Sequence, residues 1–164
     1  MQQSSLFATL RILCKNDIQF IVVGGLAAVL NGAPIQTYDI DLVYSRDQAN
    51  LDRLLNFLQE IDAIFRLQPE MRLRPAASHL AGAGHLNLLT RYGPVDLLGA
   101  IGDNLGYSDL LPRSDEMEIG EGIRVRVLKL ETLISIKEQL ASDKDLAALP
   151  ILRQTLRLAM TKPD

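Results

Sequence analysis

Residues Phe20–Tyr44 read FIVVGGLAAVLNGAPIQTYDIDLVY, and the reading of this stretch decides the fold. Phe20–Val23 is an uninterrupted apolar run, the pattern of a buried strand. Gly24-Gly25 follows and lets the backbone turn sharply into the segment Leu26–Leu30. Asp39 and Asp41 then lie in a second apolar run with Ile40, Leu42 and Val43. On a strand, residues two apart point to one face, roughly 6.6 Å apart along the chain. Two carboxylates aimed together from a rigid strand make a seat for a divalent cation with oxygen ligands. They can equally hold a pair of ions about 3.5–4 Å apart, the geometry of in-line phosphoryl displacement.

A plainer alternative stands beside this. Acidic residues two apart also decorate the solvent face of edge strands, where charge discourages aggregation. The preceding glycine turn favours the site, because it offers backbone N–H groups at a helix start, where an anion binds well. A metal seat and a phosphate seat joined by one short loop suit a nucleoside triphosphate with magnesium. A Gly-Gly turn, a short helix and Asp-x-Asp on the next strand resemble the nucleotidyltransferase superfamily. Within it the chain looks most like the abortive-infection-type nucleotidyltransferase toxins and their uncharacterised relatives, from about residue 20 to about residue 149. The resemblance implies a nucleotidyltransferase fold: α/β, with a short mixed β-sheet backed by helices and a helical C-terminus.

Two further motifs carry the likeness. His85–Thr90 (HLNLLT) and Val95–Ala100 (VDLLGA) read as short strands around the turn Tyr92-Gly93-Pro94. Asp96 is the one charged residue of its apolar strand, and a buried carboxylate needs a cation, a hydrogen-bond partner or solvent. The resemblance makes Asp96 a third metal ligand and the general base; the structural alternative is an aspartate capping the turn. Further on, Arg124–Leu128 reads as a strand, followed by a helix with Leu130, Leu133, Ile134 and Lys137 on one face. Here the likeness implies that Lys137 and Lys144 reach the nucleotide and that Lys144-Asp145 opens the next helix. A lysine serves a triphosphate as a flexible point charge. The alternatives are a snorkelling Lys137 and an Asp145 that simply suits a helix N-terminus.

Taken together, the expected site comprises Asp39, Asp41 and Asp96 as catalytic and metal-binding residues. Gly24, Gly25, Thr37, Lys137 and Lys144 complete it on the nucleotide side. The cofactor implied is magnesium, one or two ions, with manganese as a substitute. The partners implied are a nucleoside triphosphate, an RNA end or protein side chain as acceptor, and an antitoxin if the chain is the toxin of such a pair. Two positions depart from the pattern: Ile35 and Ser142 stand where many relatives carry arginine, whose bidentate phosphate contacts neither can make. Arg66, Arg72, Arg74 and Arg91 are candidates to compensate. The departures motivate a second reading, a catalytically degenerate nucleotide-binding or partner-binding module.

Composition narrows the field. The 164 residues suit one domain, with a core over about 20–128 and a helical element over about 129–164. With 48% hydrophobic and 23% charged residues the balance is globular, which argues against long disorder. Net charge is −3, so a broad basic surface for duplex nucleic acid is not expected; Arg66–Arg74 is the best local patch for an RNA end. Cys14 is the single cysteine, which excludes an internal disulfide and a thiolate zinc cluster. His79 and His85 are too few for a histidine metal site and read as surface or structural residues. No apolar run approaches the roughly 20 residues of a membrane span. The N-terminal stretch lacks the pattern of a secretory signal, so the cytoplasm is the expected compartment.

Several local features complete the reading. Leu6, Leu10 and Leu13 predict an amphipathic helix capped by Ser4 or Ser5. Ser45-x-x-Gln48 reads as a capping box before a helix with Leu51, Leu54, Leu55, Leu58 and Ile61 as its core stripe. Gln68–Gly84 and Asp103–Asp115 read as loops, the first placed to cover the acceptor side of the site. Pro150 suits the first turn of a final helix, Pro150–Met160. The glycines do not match the dinucleotide fingerprint, since Gly32 comes too late, and no G-K-S or G-K-T exists to make a P-loop.

Overall fold

The computed structural model describes residues 2–82 and 84–161, so positions 162–164 of the expected C-terminal element lie outside the described residues. The fold is α/β, as expected, built on one seven-stranded mixed sheet with a helical C-terminus. Its strands are β1 (Phe20–Val23), β2 (Ile40–Tyr44), β3 (Ile64–Phe65), β4 (His85–Thr90), β5 (Gly93–Leu98), β6 (Ser114–Gly120) and β7 (Ile123–Leu128). They run in the order β3-β4-β5-β2-β1-β7-β6. The β1–β7 and β2–β5 pairs are parallel, and the other four are antiparallel. The helices are α1 (Gln2–Lys15), α2 (Gly24–Leu30), α3 (Gln48–Glu60), α4 (Ala77–Ala81), α5 (Tyr107–Leu110), α6 (Leu130–Leu140) and α7 (Asp143–Thr161).

Register decides which side chains share a face. Asn87 of β4 pairs with Asp96 of β5, Asp96 with Asp41 of β2, and Asp41 with Val23 of β1. One row across four strands therefore carries both strand carboxylates on the same side of the sheet. One step away, Leu86, Leu88, Val95, Leu97, Ile40 and Leu42 point to the opposite face and are buried in the core. The start of α2 lies on the carboxylate side, and α6 packs on α2 and α7 on α6. Burying the apolar stripe of α6 (Leu130, Leu133, Ile134, Ile136) holds its far end, with Lys137, beside the sheet.

The structure corrects several expectations. Asp39 precedes β2 rather than lying on it. The hairpin turn is Arg91-Tyr92, and Gly93 and Pro94 already belong to β5, opposite Thr90 and Leu89. Gln68–Gly84 is not a plain loop: it carries a 3₁₀ turn, Pro69–Met71, and α4. Its helix α4 packs on the face away from Asp41, because Tyr44 Oη donates to Leu80 O at 2.8 Å and Tyr44 points away from Asp41. Likewise, 103–115 holds α5, a 3₁₀ turn and the start of β6.

Helix starts also differ from expectation. α1 begins at Gln2, so Ser4 and Ser5 lie inside it. The N-cap of α3 is Asp47, without a side-chain cap bond, and Ser45 Oγ merely accepts from Asp47 N at 3.3 Å. Pro150 lies inside α7, which starts seven residues earlier. Among the described residues, no helix is long and apolar enough to cross a membrane.

Candidate active site

Gly24 opens the site. Its φ of +64° is a conformation side chains rarely adopt, and an added Cβ would stand 2.2 Å from Asp41 Oδ2. The bare Cα thus lets the β1–α2 turn close onto the Asp41 carboxylate. At Gly25 an added Cβ would meet Thr37 Oγ1 at 3.0 Å, so the second glycine brings the 33–39 loop in. Thr37 Oγ1 in turn donates to the carbonyl of Asp39 at 3.3 Å, which sets the approach to β2.

These residues enclose one cavity of about 380 Å³. Gly24, Gly25, Thr37, Asp39, Asp41, Lys137 and Lys144 all line it, with Leu133, Ala148 and Leu152 as an apolar wall from α6 and α7. Seven of the eight expected site residues thus come together from four separate segments of the chain. A second, more apolar cavity of about 340 Å³ shares Gly24, Asp41, Leu133 and Lys137 with it and extends past His85, Leu98 and Ile101. A larger cavity, about 680 Å³, lies elsewhere, between the 31–34 loop and α7, and among the described residues no ionisable side chain lines it. Size does not mark the chemistry here; the convergence of charge does.

Asp96, the eighth expected residue, lines neither cavity but adjoins Asp41 through the β2–β5 register. Burial raises the Asp41 carboxyl furthest, and a hydrogen bond with Asp96 and the charges of Asp96 and Asp39 add to it. Lys144 pulls the other way, and the result is a carboxyl pushed up to about 7. Burial and two neighbouring negative charges both favour the neutral form of Asp41. Among the described residues no three His, Cys, Asp or Glu side chains form a ready metal cluster. What the site does bring near one another is the Asp41–Asp96 pair with Asp39 at the cavity wall, an all-oxygen donor set of the kind that magnesium or manganese prefers.

The lysines are placed by different means. Lys137 Nζ stands 3.4 Å from Asp145 Oδ1, largely sheltered. Asp145 is itself tied to Ser142: Ser142 Oγ bonds its Oδ2 at 2.5 Å, and Ser142 Oγ accepts from Asp145 N at 3.1 Å. Ser142 N also donates to Oδ2 at 3.3 Å, completing a reciprocal capping box at the start of α7. The Ser142 hydrogen bond is the main reason the Asp145 carboxyl lies below the usual range. Asp145 thus stands at the start of a helix and also contacts a lysine. Ser142 has a use of its own where relatives were expected to carry arginine, whereas Ile35 simply presents an apolar side chain to the cavity. Ser142→Ala is expected to cost about 1 kcal/mol, lowering the melting temperature by about 2–4 °C. Thermal melting checks this, and the loss of the Ser142 bonds should also free the Asp145 carboxylate that contacts Lys137.

Of the four candidate arginines, Arg66 alone reaches the carboxylates. Its Nη2 lies 2.7 Å from Asp96 Oδ1. Arg72 and Arg74 both turn to Asp62, and Arg91 donates to the carbonyl of Glu60 at 2.7 Å. None of them lines either cavity beside Asp41. The sequence held one signal for the Arg66 contact: a charged residue in an apolar strand needs a partner. What it lacked was β3, two residues long, whose pairing with β4 brings Arg66 to the end of the Asn87–Asp96–Asp41 row. The histidines behave as read: His79 Nδ1 accepts from Ala76 N at 2.8 Å, and exposed His85 contacts the carbonyl of Ala100.

No family model matches this chain, and no curated protein does either. Among solved structures, it shares its fold with a candidate nucleotidyltransferase from Thermotoga maritima. The TM-score is 0.55 at 18% identity, over 93% of this chain and 90% of that one. At that identity the likeness speaks for the fold alone.

Proposed function

We propose that this protein transfers a nucleoside monophosphate from a nucleoside triphosphate to an acceptor hydroxyl and releases pyrophosphate. The observation that carries the reading is the meeting of Gly24-Gly25, Thr37, Asp39, Asp41, Lys137 and Lys144 around one cavity, with Asp96 beside Asp41. In this reading Gly24 and Gly25 admit the β- and γ-phosphates close to the backbone. Lys137 and Lys144 offset charge that builds on the leaving pyrophosphate. The acceptor oxygen bonds to the α-phosphorus as the bond from that phosphorus to the bridging oxygen breaks. The electron pair leaves with pyrophosphate, and the hydroxyl proton passes to Asp96. A magnesium ion at Asp39, Asp41 and Asp96, one or two in number, would supply Lewis-acid polarisation of the phosphates.

The acceptor is an RNA end or a protein side chain in the cytoplasm, and the toxin role with an antitoxin partner belongs to the same proposal. One observation favours a second reading, a nucleotide-binding module without turnover: Ile35 fills the cavity wall where an arginine grip was expected. Melting curves with and without triphosphate and magnesium, followed by an assay for released pyrophosphate, separate the two. The transferase reading requires a magnesium-dependent rise in melting temperature together with pyrophosphate release. A rise without release supports the module, and no rise at all contradicts both.

A further inference from the structure

Arg66 is more than a surface partner for Asp96. Nη2 meets Asp96 Oδ1 at 2.7 Å, Nη1 donates to the carbonyl of Leu88 at 3.1 Å, and its backbone N donates to the carbonyl of Asn87 at 2.9 Å. The side chains of Arg66 and Asp96 are only 31% and 15% exposed. An ordinary exposed ion pair exchanges freely with water and contributes little. This guanidinium is tied at both terminal nitrogens and at its own backbone, so it stays on Asp96.

A carboxylate has two oxygens. If the site held two ions, Asp96 would give one of its oxygens to the second ion. Here one oxygen of Asp96 already faces a fixed positive charge, while the neighbouring carboxyl across the row is Asp41. A second divalent ion at Asp96 would have to share that carboxylate with the guanidinium and be repelled by it. An ion placed towards Asp41 would not.

We infer that Arg66 takes the place of one of the two ions, a positioning residue that leaves this site a single divalent cation on the Asp41 side of Asp96. The inference rests on the transferase reading of the site but goes beyond it. The guanidinium would neutralise Asp96 from behind and hold its remaining oxygen towards the acceptor. Lysine could supply the charge but not the two-nitrogen fixation.

The test uses the full chain, Mn²⁺ and non-hydrolysable α,β-methylene nucleoside triphosphates of each of the four bases. Bound manganese is counted by electron paramagnetic resonance, which also distinguishes isolated ions from a coupled pair about 3.5–4 Å apart. The expected result is one bound ion per wild-type chain with the spectrum of an isolated ion. Arg66→Gln, checked for folding by circular dichroism, should take up a second ion and show the coupled spectrum, while Arg66→Lys should hold one. Two coupled ions in the wild type would overturn this inference and leave the transferase reading standing. A folded Arg66→Gln that still binds one would remove Arg66 from the role. No bound ion in any ternary complex would overturn the metal seat and the transferase reading with it.

Discussion

Asp41→Asn is expected to abolish nucleotidyl transfer and, without divalent ions, to make the protein more stable at pH 8. The two effects share one cause. The carboxyl is buried beside Asp96 and Asp39 and pushed up to about 7, so native protein holds a proton there that the unfolded chain releases near 3.8. Because the folded value is the higher one, the associated stability is present below about pH 4. It is lost as pH rises towards about 7, by an amount on the order of a few kcal/mol. An amide carries no charge and escapes that slope. Thermal melts at pH 5 and pH 8 should therefore show a strong decline for wild type and a weaker one for the variant. Magnesium should restore the wild type at pH 8 and do nothing for the variant. Loss of a cation seat worth several kcal/mol in transition-state charge implies a rate reduced by about 10³-fold or more. Full activity in Asp41→Asn would refute the assignment.

Gly24→Ala should be severely damaging. The new Cβ would sit 2.2 Å from Asp41 Oδ2, and the backbone at φ +64° would be strained whatever the space. Strain and overpacking together suggest a loss of about 2–5 kcal/mol. That is a large part of a typical domain's stability of about 5–15 kcal/mol. The survivors would have Asp41 displaced, so magnesium-dependent nucleotide binding should vanish as well. Gly25→Ala is the control: its Cβ would press on Thr37 Oγ1 at 3.0 Å, the end of a side chain that can rotate. It should fold nearly normally and lose affinity more than stability. Chemical denaturation and a nucleotide titration on both variants read this out, and a Gly24→Ala protein with wild-type stability would contradict the close approach.

How much of this was legible beforehand depends on what kind of signal each part sent. β1, the glycine turn and β2 were readable because a buried strand beside a positive-φ glycine leaves a strong pattern. Thr37, Lys137 and Lys144 entered the expected site only through the family resemblance, because their distance in sequence hides their common cavity. β6 was not, because its charges belong to an exposed edge strand: Glu116 and Glu118 pair across to Arg126 and Arg124 on β7. A single-sided edge strand shows only Met117 and Ile119 as apolar marks, too few to stand out. Pro150 pointed to a helix start, yet the capping box at Ser142 and Asp145 starts the helix earlier and tertiary packing of Leu149 and Leu152 carries it through. The side of the sheet taken by α4 depends on the parity of Tyr44 relative to Asp41 and on where the chain returns, and only the second of these is invisible in sequence.

The central claim is that a nucleoside monophosphate leaves its triphosphate here. Its most direct test is incubation with each of the four nucleoside triphosphates, labelled at the α- or the γ-phosphate, with magnesium and total cellular RNA plus protein. The account predicts that α-label appears on a macromolecule, that γ-label does not, and that Asp41→Asn removes the signal. Magnesium-dependent nucleotide binding with no α-label transferred to any acceptor, or transfer of γ-label alone, would contradict it.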